Sequence, residues 1–77
     1  MTTLNTLPVG IRCVVESIAG DDDLSIRLME MGIIPETELR IVGVAPLGDP
    51  LELELRGYRL SVRRSEAQRI SVTVLPS

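Results

Sequence analysis

Histidine, lysine, tryptophan and phenylalanine are all missing from this 77-residue chain, and Tyr58 and Cys13 are its single tyrosine and cysteine. Each absence closes a class of function. Without histidine the common zinc spacings cannot be written, and neither a Ser-His nor a Cys-His nucleophile can be assembled. Without lysine there is no phosphate-binding loop of the GxxxxGK type. One cysteine cannot close an internal disulfide, so an oxidising compartment loses its support. One aromatic ring is too little for a surface that stacks bases or grips polyproline. No run approaches the roughly 18 apolar residues of a membrane span, and MTTLNTLPVG lacks the basic and apolar blocks of a secretory signal. The expected location is the cytoplasm.

What is present suffices for one domain, residues 1–77. Hydrophobic residues make up 44% of the chain and the mean hydropathy is +0.25, enough apolar material to fold unaided. At this length only about 60% of the unfolded surface is buried, which argues against a second core or a deep enzymatic cleft. All eight basic residues are arginine, set against 11 acids for a net charge of −3. They are unevenly placed: residues 1–39 carry two Arg and seven acids, residues 40–77 six Arg and four acids. Such a balance makes a poor general polyanion binder but leaves room for a local arginine patch.

The pattern along the chain reads as short strands. Leu4 to Gly10 is a lead-in turn, stopped by Pro8 and Gly10, and β-branched IRCVVESI, Ile11 to Ile18, is a first strand. Asp21 to Asp23 offer capping oxygens to a following helix whose core stripe is Leu24, Leu28 and Met31, widened by Ile26 and Met29. Gly32 is placed for a left-handed C-terminal cap. A second strand covers Thr37 to Val44.

The clearest pattern is LELELRGYRLSVRR, from Leu51 to Arg64. Alternating leucines and an Arg56-Gly57 turn predict a hairpin pairing Leu55 with Tyr58, Leu53 with Leu60 and Leu51 with Val62 on the buried face, and Glu54 with Arg59 on the other. Ser65 to Gln68 suits one helical turn capped by Ser65, and Ile70 to Val74 a last strand with Ile70, Val72 and Val74 inward. The expected fold is mainly β: five short strands with a short helix inserted after the first, closing into a small barrel.

Four candidates for chemistry remain. The PLGDP segment, Pro46 to Pro50, reads as a stiff strand-to-strand loop that presents Leu47, Gly48 and Asp49 to a partner. Asp21, Asp22 and Asp23 could in principle supply oxygens to a divalent cation, yet consecutive carboxylates at a helix start point apart, unlike the alternate spacing of a calcium loop. Capping and solvated charge describe them better. Cys13 among valines, with Met29 and Met31 at helical spacing, reads as packing. Arg56, Arg59, Arg63 and Arg64 either balance Glu52, Glu54 and Glu66 on a solvated face or form a docking patch for an acidic surface, where arginine forks are favoured. No catalytic residues are assigned and no cofactor is expected beyond weak divalent metal.

The ordered set LPVG (Leu7 to Gly10), RLMEMGIIP (Arg27 to Pro35), APLGDP (Ala45 to Pro50) and GYRLSVRRSEAQRISV (Gly57 to Val72) resembles the FeoA family over nearly the whole chain. The resemblance implies an SH3-like barrel with a helical insertion. It also implies a non-enzymatic, cytoplasmic accessory protein of bacterial ferrous iron uptake. Its partner would be the cytosolic, G-protein-bearing part of a FeoB-type transporter, so that membrane contact is only indirect. Direct ligation or sensing of Fe(II) by the chain itself is the alternative, with Asp21 to Asp23 its only local means. Nucleic acid is not an expected partner, because no helix-turn-helix pattern precedes the barrel and the net charge is −3. One departure stands out: Glu36 occupies a position where the family usually has Gly. If that turn needs a positive φ, glutamate is penalised by about 1 to 2 kcal/mol, whereas a type I turn accepts it.

Overall fold

The computed structural model describes residues 2–76. Six antiparallel strands form one sheet: β1 (Thr2–Thr3), β2 (Arg12–Ile18), β3 (Glu38–Val44), β4 (Leu51–Leu55), β5 (Tyr58–Val62) and β6 (Ile70–Val74), in the order β1-β6-β2-β3-β4-β5. Two short helices, α1 (Asp23–Glu30) and α2 (Arg64–Ala67), and a 3-10 turn at Leu4–Thr6 complete it. The sheet is strongly wrapped, with extents of 29 × 28 × 26 Å.

Five strands and the inserted helix lie where the periodicity puts them; the sixth strand was not expected. Thr2 and Thr3 pair with Val72 and Ser71 of β6. This makes β6 an interior strand, which is why Ser71 is buried although its side chain alternates with the core positions.

The hairpin adopts the predicted register at all five positions, Leu51↔Val62 through Leu55↔Tyr58. Leu51, Leu53, Leu55 and Val62 are buried, and burial of each such side chain contributes about 1.5 to 3 kcal/mol. The leucines therefore set the register. They join Leu4, Cys13, Val15, Leu28, Ile33, Leu39, Ile41, Ala67, Ile70 and Val72 in a single core.

Four finer expectations are corrected. Val74 is exposed, since the core ends before the last residue of β6; Ile26 and Met29 are exposed too, so α1 meets the core through fully buried Leu28 with partly buried Leu24 and, at its C-cap, Met31. Tyr58 sits half in solvent because its ring reaches out to donate a hydrogen bond to the Met31 carbonyl. The cap of α2 is Arg63, not Ser65: the Glu66 carboxylate reaches back to accept the Arg63 N–H at 2.7 Å.

Gly32 ends α1 as expected, at φ 103°. Its N–H donates to Met29 at 3.0 Å and the Ile33 N–H to Leu28 at 3.1 Å, the paired bonds of a Schellman cap, with Leu28 and Ile33 both fully buried beside it. Glu36 has φ 75°, so its turn is the left-handed kind and the residue carries the conformational penalty that glycine avoids.

Candidate functional site

Arg56 and Gly57 turn the β4–β5 hairpin with φ of 49° and 82°, both positive as a type I′ turn requires. That turn matches the strand twist and carries the outward face of the hairpin into line with β3 and β2. Register then places Arg12 beside Arg40, Arg40 beside Glu54, and Glu54 beside Arg59, a charged row across four strands. Ion pairs lie along it: Arg12 to Glu38 at 3.3 Å, Arg40 to Glu54 at 3.3 Å and Arg59 to Glu54 at 3.9 Å. Arg56 donates to the hydroxyl of Thr37 at 3.2 Å. Arg12, Glu38, Arg40, Glu54 and Arg56 line a cleft of about 290 Å³ at this end of the sheet.

The PLGDP loop lies at the other end of β4. Gly48, at φ 88°, closes a turn through its N–H to Ala45 at 2.7 Å, and the Ala45 N–H returns to Pro50 at 3.0 Å. Asp49 accepts the Arg64 backbone N–H at 3.0 Å, and the Arg64 guanidinium donates to the Gly48 carbonyl and to Asn5 at 2.9 Å. Arg64 thus ties the loop to α2 and to the first turn. Leu47, 98% exposed, stands at the loop tip.

The seven candidate docking residues therefore fall into two groups rather than one patch. Leu47, Gly48, Asp49, Arg63 and Arg64 gather where β4 begins and β5 ends; Arg56 and Arg59 lie where β4 ends and β5 begins. The five residues of β4 separate them by about 17 Å.

The acidic run is a structural joint. Asp22 caps α1 by accepting the Ser25 N–H at 3.3 Å, and the same oxygen accepts from Arg69 at 2.6 Å. The Arg69 hydrogen bond, and after it the Ser25 N–H, hold the Asp22 carboxyl below the usual range, while Asp22 raises Arg69. Asp23 begins the helix and Asp21 is exposed. Among the described residues no three His, Cys, Asp or Glu side chains are grouped to hold a metal ion. Cys13 is fully buried and burial pushes its thiol up to about 11, with Glu38 adding to the effect, so it stays protonated at neutral pH.

Glu66, expected with Glu52 and Glu54 as a counter-charge on a solvated face, is buried instead. It is 8% exposed, accepts the Arg63 N–H and pairs with Arg27 of α1, joining the two helices. Its third position in α2 is the available signal, once the cap is placed at Arg63.

The FeoA domain model matches residues 2–74. The Fe(2+) transport protein A/Fe(2+) transporter FeoB fusion protein of Porphyromonas gingivalis (strain ATCC BAA-308 / W83) is 31% identical over 74 residues, which are 96% of this chain and 9% of that protein. The chain therefore spans about a tenth of the length of that relative. The solution structure of a FeoA-like protein from Clostridium acetobutylicum superposes with a TM-score of 0.89 at 42% identity, covering 100% of this chain and 93% of that one. The crystal structure of Stenotrophomonas maltophilia FeoA complexed with zinc, described as a prokaryotic SH3 domain protein, gives 0.82 at 35% identity over 95% and 91% of the two chains. The SH3-like architecture implied by the motif order is the architecture found.

Proposed function

Since the chain belongs to the FeoA domain family, we propose that it serves ferrous iron uptake as a small, non-enzymatic accessory protein that docks on the cytosolic, G-protein-bearing part of a FeoB-type transporter. The observation that carries this reading is the P. gingivalis fusion, where a homologous domain and FeoB share one polypeptide. Fusion holds two modules at high effective concentration, an arrangement that pays where they act together. No helix of the described residues is long and apolar enough to cross a membrane.

The exposed PLGDP tip and the arginine-bearing hairpin supply the contact surface in this reading. The lack of histidine and the protonated, buried state of Cys13 support the non-enzymatic part of this reading. The zinc complex of the S. maltophilia relative motivates the competing reading, in which this chain itself ligates Fe(II). Against it, the Asp22 oxygen is already shared between a helix cap and Arg69.

Titration of the chain with the transporter's cytosolic domain, with GDP and with a non-hydrolysable GTP analogue, is the test. Saturable binding is expected; none in either nucleotide state overturns the proposal. Stoichiometric anaerobic Fe(II) binding, abolished by changing Asp21 to Asp23, would favour the competing reading instead.

A further inference from the structure

The ion pairs of this molecule fall into two kinds. At structural joints they are short: Arg69 to Asp22 at 2.6 Å, and Arg27 against Glu66. Along the cleft they are long, 3.3, 3.3 and 3.9 Å, beyond the roughly 2.7 to 2.9 Å of a good charge-assisted bond. Each guanidinium has five N–H donors, and these pairs use few of them. The cleft also has a surplus of cations: Arg12, Arg40 and Arg56 line it with only Glu38 and Glu54, and Arg59, outside the lining, borders it through its pair with Glu54, although the chain as a whole carries −3. Arg59 is the most exposed of the three ion-paired arginines, its side chain 66% exposed against 47% for Arg12 and 48% for Arg40.

From this geometry we infer that the cleft and its Arg59 rim are a docking site for an acidic peptide segment of a protein partner, whose carboxylates take the spare guanidinium forks of Arg40 in the cleft and Arg59 at its edge, with Arg12 and Arg56 closing the sides. Charge complementarity selects the occupant: a planar guanidinium matches a carboxylate through two parallel bonds, and Glu38 and Glu54 repel a densely charged polyanion. An aromatic platform for bases is absent beside it, since Tyr58 is the only aromatic ring in the chain and is engaged with Met31. Arg12 and Arg40 are additions to the surface that the hairpin alone suggests. This inference rests on the docking reading above and names what the cleft end of that surface takes.

The experiment needs no transporter, so its failure is separate from failure of that reading. The ¹⁵N-labelled chain is titrated with a blocked hexaglutamate peptide, with hexalysine and with inorganic phosphate. Hexaglutamate is expected to shift amides near Arg12, Arg40 and Glu54 to Arg59, with affinity falling several-fold between low and physiological salt. Arg40→Gln with Arg59→Gln should weaken it at least fivefold and Arg59→Gln alone by less, while Arg27→Gln, on α1, leaves it unchanged. Because these side chains are exposed, the variants should keep the parent's amide dispersion. Shifts that are absent, that spread equally to Arg27 and Arg69, or that phosphate reproduces as strongly at equal charge would overturn the assignment.

Discussion

The hydroxyl of Tyr58 occupies the space that a side chain on Gly32 would need, and from there it donates to the Met31 carbonyl. One contact thus joins the end of α1 to the start of β5, and it depends on glycine twice, for room and for φ 103°. Gly32→Ala should lower stability by about 2 kcal/mol, combining the left-handed penalty with displacement of Tyr58. Tyr58→Phe alone should lower it by about 1 kcal/mol through the lost hydrogen bond. The double variant should be less destabilised than the sum, because the displaced atom is gone; urea unfolding of all four proteins measures the coupling.

Glu36, at φ 75°, supplies the opposite case, a left-handed position without glycine. Its N–H is already satisfied by Val15 at 2.8 Å, so replacing the side chain leaves the turn's bonding intact. Glu36→Gly is expected to raise stability by about 0.5 to 1 kcal/mol, the strain relieved being partly offset by the freer unfolded chain. A shift of the urea midpoint upward at constant slope checks it.

Glu66 joins two helices from a nearly buried position, its side chain 10% exposed against 61% for Arg27. Glu66→Ala should cost about 2 kcal/mol, since it strips the Arg63 N–H of its acceptor as well as breaking the pair. Arg27→Ala should cost less, about 1 kcal/mol, because the carboxylate keeps its backbone donor. Equal losses in thermal unfolding would show that the ion pair alone matters.

These joints also show what could be read from the chain. Alternating leucines at 51, 53 and 55 specify one hairpin register, because a one-residue slip would turn all of them outward. Gly32 and the Asp22 cap are local signals and were legible for that reason. The Thr2–Thr3 strand was not, since two residues carry no periodicity and pair only because β6 offers an edge. Ser65 was a plausible cap, yet the Glu66 carboxylate draws the helix start to Arg63. The cleft was half legible: Arg56 and Arg59 share a hairpin, but Arg12 and Arg40 meet them only through the β2–β3 and β3–β4 registers.

Cys13 gives a pH dependence. Burial raises its folded-state value to about 11, above an unfolded value of about 8.5, so its contribution to stability is intact at neutral pH and is lost as the pH rises through that interval. Unfolding midpoints should fall more steeply there for the parent than for Cys13→Ala, with Tyr58 common to both. At neutral pH an aromatic disulfide reagent should label Cys13 only as fast as the protein opens.

The central claim is that this domain meets the cytosolic part of a FeoB-type transporter through the two clusters at the ends of β4. Chemical-shift mapping of the ¹⁵N-labelled chain with that cytosolic domain tests it most directly. Perturbations are predicted at the Leu47 loop tip and along Arg12, Arg40, Arg56 and Arg59, with the α1 face of Ile26 and Met29 unmoved. Unchanged spectra at saturating partner, with either guanine nucleotide, would contradict the account.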